Sequence, residues 1–453
     1  MSFKYNLLKA RSYLAMVIGI LIAFSIVLYV EKNSQDMEDS RVHITTSIGR
    51  PLTPVPRPLS SEEVIWAKAA WQYFINNTQP SGLVNSVDKF PSSTMWDSSS
   101  YFMALISAQR IGIIQQDEFD TRISNALGAL AKLPLFEGKL PNKAYNTQTL
   151  SMVNYINQPS TKGIGWSAID ISRMMVPLNI LVWSYPQHAV EVNKVISRWQ
   201  LDALVVDDQL QGSVVDDKTQ LISLHQEGRM GYEQYAARTL QLVGINASLA
   251  LDYTAHLQFI KVEGILVPDD DRVSQKEGAN TFIVSEPYIL TGLELGFDLY
   301  SSELAWRVFK AQENRFQRTA IYTSVSEDHV DQAPFFIYST LHYANEDWAV
   351  ITDKGERVNQ LRQLSTKSAF SWYALWRTPY SEQTRNQLNS LMDSNKGWYS
   401  GIYEVNNKIN TSLNANTNGV VLESLAFIKG GKLLCAACTQ VMQSVGATDK
   451  HLR

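Results

Sequence analysis

Cysteine is nearly absent from the chain: Cys435 and Cys438 are the only two in 453 residues. A structural zinc site needs about four ligands, so one C-x-x-C pair cannot build one alone. The pair is compatible with a redox couple, half a metal site or a local disulfide. It lies near the C-terminus without a strand–helix redox pattern and reads as peripheral. The seven histidines form no H-E-x-x-H, which argues against a catalytic zinc helix. No G-x-x-x-x-G-K-[ST] supports P-loop chemistry, and no G-x-S-x-G marks a serine-hydrolase elbow. No metal or cofactor is expected. Positive charge is not in excess, with 40 Lys and Arg against 44 Asp and Glu, so no nucleic-acid partner is expected. The composition, 45% hydrophobic and 19% charged, is that of a globular chain.

Long apolar runs are equally scarce, with one exception. Tyr13 to Val30 read YLAMVIGILIAFSIVLYV without a charge. At about 1.5 Å per residue such a helix is roughly 27 Å long, enough to cross a bilayer core. Lys4, Lys9 and Arg11 precede it, and positive flanks stay cytoplasmic. The reading is a cytoplasmic tail over 1–12 and a single-pass signal anchor over 13–30 in a bacterial inner membrane, with the main domain periplasmic. A cleaved signal peptide is the rival, disfavoured by the length of the run and the lack of a small-x-small site before Glu31. Residues 31–60 carry Pro51, Pro54, Pro56 and Pro58 and read as an extended spacer. A domain over 61–430 and a tail over 431–453 follow.

Ser60 and Glu63 form an S-x-x-E capping box that opens the domain. About twelve helical segments follow, beginning near residues 61, 97, 117, 168, 187, 229, 246, 285, 302, 366, 382 and 417. Two kinds alternate. The segment from Asp117 places Phe119, Ile123, Leu127 and Leu130 on one stripe, whereas YFMALISAQRIGII and TNGVVLESLAFI are apolar nearly all round. A helix apolar on every side is buried on every side. Alternating half-exposed and buried helices suit two concentric rings, so the expected fold is all-α, an (α/α)6 toroid.

Each apolar helix is preceded by polar and aromatic residues, among them STMWD (93–97), GIGWSAID (163–170), QEGRMGYEQY (226–235) and NANTNG (414–419). In a toroid these ends meet at one mouth, a surface suited to a hydroxyl-rich ring. Asp and Asn are also good N-caps, and for any single position the cap reading stays open.

Several strings resemble the uncharacterised bacterial domain-of-unknown-function family number 3131: TMWDSSS at 94–100, GWSAIDISRM at 165–174, QEGRMGYEQYAA at 226–237, GWYSGIYE at 397–404 and LNANTNGVVLESLAF at 413–427. The resemblance spans roughly residues 60–430. It implies a glucoamylase-like helical toroid distantly related to glucan-cleaving hydrolases, and leaves the reaction open.

Glycoside hydrolysis needs two carboxyl groups across the scissile bond. Candidates are Asp97, Asp170, Glu227, Glu233, Glu286 and Glu404. Glu227 is the expected acid, in a Gly-flanked turn beside Arg229 and Tyr232. Asp97 and Glu286 are the leading partners, and Asp170 a further catalytic candidate. Trp96, Trp166, Trp372, Trp398 and Tyr232 are candidate stacking residues, with core packing as the alternative. Arg229, Glu404, Asn416 and Asn418 are candidate sugar ligands. The acidic run Asp269–Asp271 reads as a solvated turn. The expected function is a glycosidase or transglycosylase trimming a glucan or exopolysaccharide by an inverting mechanism. A non-catalytic saccharide-binding or scaffolding subunit is the alternative.

Overall fold

The capping box forms as written: Ser60 Oγ accepts the Glu63 N–H at 3.2 Å, and Glu63 Oε2 accepts the Ser60 N–H at 2.8 Å. The structure, a computed structural model, describes residues 15–28, 44–216, 218–272 and 280–435. It divides into two units, Met1–Ile44 and Thr45–Arg453. In the first, residues 15–28 are helical and every one is exposed. Among the described residues no helix is long and apolar enough to cross a membrane. The ends of the expected span, Tyr13, Leu14, Tyr29 and Val30, lie outside the described residues.

The second unit contains α1 (Ser61–Asn77), α2 (Met95–Ile111), α3 (Gln116–Leu130), α4 (Ala168–Ser184), α5 (Ala189–Ile196), α6 (Tyr232–Gln241), α7 (Ser248–Leu251), α8 (Glu286–Leu290), α9 (Leu299–Thr319), α10 (Thr366–Leu375), α11 (Pro379–Asn386) and α12 (Ala415–Gly430). The even helices are the largely buried ones. All of α10 is buried, as are Met95–Ala108 of α2 and Ala415–Phe427 of α12. Each packs on the next, α2 on α4, α4 on α6, α6 on α8, α8 on α10, α10 on α12, and α12 returns to α2. The inner ring therefore closes. The odd helix α3 buries one stripe, Phe119, Ile123, Ala126, Leu127, Ala129 and Leu130.

Three expectations need correction. The domain is not all-α: short antiparallel strands fill the connections between helices. The longest pairing joins Leu257–Val262 to Ile265–Asp270. Its two-residue turn, Glu263–Gly264, has φ of +47° and +81°, the left-handed pair that a tight hairpin requires. This hairpin follows the segment expected as a helix from 246, of which only α7 is helical. The acidic run is not a solvated turn, because Asp270 is buried and bonds Arg272 at 2.6 Å and the Met230 N–H at 2.9 Å. Nor does the last part of the proline-rich segment hang free. Ser47 bonds Glu303, Arg307 bonds the Thr45 carbonyl, and the Arg57 N–H bonds the Ile428 carbonyl. Cys435 is disulfide-bonded, and Cys438 lies outside the described residues.

Candidate functional site

Two glycines let the backbone close around the first group of acids. Gly165 has φ +108°, and a Cβ there would lie 2.2 Å from the Ser213 carbonyl oxygen. A Cβ on Gly212 would lie 2.6 Å from Glu227 Oε2. With both positions bare, Glu227 reaches the start of α4. Its Oε1 accepts the Ser167 hydroxyl at 2.6 Å and its Oε2 the Ala168 N–H at 2.5 Å. Asp170 sits one turn on, with its N–H donated to Ser167 Oγ at 3.1 Å. Burial and the neighbouring Glu227 charge push its carboxyl up to about 7. The expected acid and its neighbour thus differ: Glu227 has both oxygens engaged by the start of α4, and Asp170 is the carboxyl whose surroundings favour keeping a proton.

The second group lies at α8, α10 and the strand Glu327–His329. Glu286 begins α8, wholly buried. Lys367 Nζ meets its Oε2 at 2.7 Å, Ser326 Oγ donates to the same oxygen at 2.9 Å, and Asn416 Nδ2 donates to Oε1 at 2.9 Å. Three donors thus hold Glu286 in place, two on Oε2 and one on Oε1. Burial, then the charge of Glu286, pushes Glu327 up to about 7. Asp328 is likewise pushed up to about 7, chiefly by burial, and its Oδ2 is buried without a hydrogen bond. The Tyr232 hydroxyl donates to Glu327 Oε2 at 2.6 Å. Tyr338, half-buried, lies within electrostatic reach of both Glu327 and Asp170.

Trp96 of α2 packs beside Tyr232. Its ring is edge-on to Tyr232 at 6.0 Å, and its indole N–H is buried without a partner. Asp97 is close enough to influence Asp170, but its Oδ2 already accepts the Ser86 and Thr94 hydroxyls at 2.6 and 2.8 Å.

Other expected ligands are placed elsewhere. Glu404 is engaged by Arg315 through two bonds of 2.7 and 2.8 Å. Trp372 stacks on Trp376 at 5.4 Å within a buried aromatic group. Trp398 is wholly buried and donates to the Trp66 carbonyl at 3.0 Å. Asn418 is spent on the backbone of Trp398 and Asn414. Trp166 is buried, bonding the Gln211 carbonyl at 2.9 Å. Arg229 turns into its own loop, donating to the Gly228 carbonyl at 2.7 Å. Glu233 pairs with Arg272 at 2.5 Å. These corrections share a cause, because polar groups buried beside aromatics bond to the protein itself before any ligand. Among the described residues no group of three or more His, Cys, Asp or Glu could hold a metal ion.

Sequence reasoning passed over Glu327, Asp328, Lys367, Tyr338 and Arg173. The first two occur in SEDH at 326–329, outside the apolar helices on which the search was framed. Lys367 opens KSAFSWY, and a lysine inside an apolar helix was itself a signal, since lysine is almost never fully buried unless paired.

The family described as Protein of unknown function (DUF3131) matches residues 65–431. Among solved structures, the endo-β-1,2-glucanase from Chitinophaga pinensis, complexed with sophorotriose and glucose, is similar over 85% of this chain and 98% of its own, at 14% identity and a TM-score of 0.60. The β-1,2-glucanase from Parabacteroides distasonis aligns with 85% of this chain and 60% of its own, at 12% identity and a TM-score of 0.60. The endo-β-1,2-glucanase from Talaromyces funiculosus, complexed with sophorose, aligns over 86% and 88%, at 12% identity and a TM-score of 0.53. At these identities the likeness concerns the fold, which is helical and glucoamylase-like. No curated protein matches the chain. The chain belongs to the family described as Protein of unknown function (DUF3131).

Proposed function

We propose that this chain is a glycoside hydrolase that cleaves a neutral glucan by inversion, with Asp170 as general acid and Glu327 as general base. The observation that carries the reading is the pair of carboxyl groups, both pushed up to about 7 and both within electrostatic reach of Tyr338. Asp170 gives its proton to the glycosidic oxygen as the bond to the anomeric carbon breaks. Glu327 takes a proton from the water that attacks that carbon from the opposite face. One half of the glucan leaves as an alcohol and the other as a hemiacetal of inverted configuration. Glu227, beside Asp170, helps to keep the Asp170 proton in place, and the Tyr232 hydroxyl orients the base.

The charge of the site supports a neutral substrate. Asp97, Asp170, Glu227, Glu286, Glu327 and Asp328 gather there, and the Lys367 ammonium is already committed to Glu286. A uronate would enter against this excess. The fold neighbours named for β-1,2-glucan make that polymer the first to try. Anchoring to the inner membrane, with the domain in the periplasm, belongs to the same proposal. It rests on the apolar run Tyr13–Val30 and the basic residues before it.

The deciding experiment is reducing-end release from β-1,2-, β-1,3- and α-1,4-glucans, with Asp170→Asn as the control. Turnover lost in that variant supports the reading. Saccharide binding without turnover by the wild type would replace it with the saccharide-binding alternative. For the anchor, a reporter fused after Arg453 should be active only outside the cytoplasm, and a cytoplasmic signal would overturn that part.

A further inference from the structure

One buried cation ties several inner helices together. Arg173 of α4 is wholly buried. Its Nη1 donates to Ser100 Oγ of α2 at 2.9 Å. Its Nη2 lies 3.5 Å from Glu294 and 3.4 Å from Glu423, both wholly buried. Glu294 belongs to the π-helical turn Thr291–Leu295 that follows α8, and it also accepts the Tyr235 hydroxyl of α6. Single π turns recur at functional sites. One guanidinium facing two buried carboxyls cannot neutralise both, so the pair retains a proton. The arrangement fixes the plane of the guanidinium from several sides.

That plane has a use. The Arg173 guanidinium carbon lies 4.3 Å from the centroid of the Trp96 ring. Trp96 in turn meets the rings of Tyr232 at 6.0 Å and Tyr235 at 6.4 Å, both edge-on. Tyr232 donates to Glu327 at 2.6 Å. Contact is therefore continuous from Glu294 and Glu423 to Arg173, Trp96, Tyr232 and Glu327. Each step has a defined geometry: a flat cation on an indole face, two edge-on rings, and a short hydrogen bond.

We infer that Arg173 is a positioning residue, which fixes the Glu327 carboxyl for reaction through Trp96 and Tyr232. The inference rests on Glu327 acting as the base proposed above. A purely structural Arg173 would hold the helices together and leave Glu327 no better aimed than the rest of the ring.

A double-mutant cycle separates these cases. Arg173→Lys keeps a charge against Glu294 and Glu423 but loses the flat face and the fork. Tyr232→Phe keeps the ring and loses only the hydroxyl. Each should lower kcat about tenfold to a hundredfold, as a misplaced reacting group does, with little change in KM. The double variant should lose no more than the worse single, because both act along one chain. Losses that multiply would overturn the inference. If Arg173→Lys fails to fold by thermal melt, Trp96→Phe takes its place in the cycle. Should the wild type cleave no glucan, the hydrolase reading falls, and the relay is read without turnover. Isotope-edited infrared titration, with Glu327→Gln to assign the band, follows the Glu327 carboxyl directly. Arg173→Lys should raise its midpoint as Tyr232→Phe does, since both weaken a bond to the ionised form. An unmoved midpoint in Arg173→Lys would overturn the inference by itself.

Discussion

Glu286 and Lys367 form a 2.7 Å ion pair in which side-chain exposure is 0% for the acid and 2% for the lysine. Two charges so far from water survive because the carboxylate also accepts hydrogen bonds from Asn416 and Ser326. Removing one partner leaves the other charged and uncompensated. Lys367→Met should therefore lower stability by about 3–5 kcal/mol in urea unfolding. The Lys367→Met/Glu286→Gln double variant should recover part of that loss. A single variant as stable as the wild type would show that the ammonium does not compensate Glu286.

Asp170→Asn and Glu227→Gln should differ in kind. Asp170 makes few bonds, so its amide should leave the melting temperature near wild type and lower kcat by the 10²–10⁴-fold typical of general acid catalysis. Glu227 accepts a hydroxyl and a helix N–H. Its amide presents donors where acceptors are needed, so Glu227→Gln should cost about 1–3 kcal/mol of stability. Parallel melts and glucan-cleavage rates decide the matter. Unchanged turnover in Asp170→Asn with full loss in Glu227→Gln and an unshifted melt would return the acid role to Glu227.

The helices were legible in the sequence because burial on every side leaves a visible composition. The strings around Trp96 and Ala415 are apolar all round, and those helices form the closed ring. Of the residues in the candidate site, the sequence pattern points to Trp96, Asp97, Asp170, Tyr232, Glu286 and Asn416, which lie at helix starts, and to Glu227 just before one. Glu327 and Asp328 sit on a three-residue strand, Glu327–His329, too short for any periodicity to mark. The roles of Trp372 and Trp398 could not be read at all. Both precede or enter buried segments, as a sugar platform would, and only packing separates the cases. Glu227 is the expected acid from sequence, and only the structure shows its oxygens engaged by the Ser167 hydroxyl and the Ala168 N–H.

Tryptophan substitutions should divide along the same line. Trp398 is wholly buried, edge-on to Phe370 at 4.8 Å. Trp398→Ala should cost about 3–5 kcal/mol, as large aromatic truncations in cores do, and should leave the Kd for glucan oligosaccharides unchanged in whatever fraction folds. Trp96→Ala removes a ring bordering the candidate carboxyls together with its unpartnered N–H, so it should weaken binding. Calorimetric titration with a glucan oligosaccharide checks both. Equal affinity loss in the two variants would place Trp96 among the packing residues.

The buried carboxyls should also write themselves into the pH dependence of stability. Asp170, Glu327 and Asp328 are pushed up to about 7 in the folded protein. In the unfolded chain such groups titrate near 3.9 for Asp and roughly 4.3 for Glu. Between about pH 4 and 7 the folded protein therefore holds protons that the unfolded chain has released, and stability falls as pH rises through that window. Glu63 has the opposite sign. Burial alone would raise it, but the Arg57 guanidinium and the Ser60 N–H outweigh burial and hold it at about 2. Its contribution is present above about pH 4 and is lost as pH falls towards about 2. The two limbs predict a melting temperature that peaks near about pH 4–5 and declines towards neutrality. Asp170→Asn should flatten the upper limb, and Glu63→Gln the lower one. Calorimetric melts across the acid and neutral range measure both slopes. A decline towards neutrality that persists unchanged in Asp170→Asn would mean that Asp170 is ionised in the folded protein, and it would remove the proton that the proposed acid must donate.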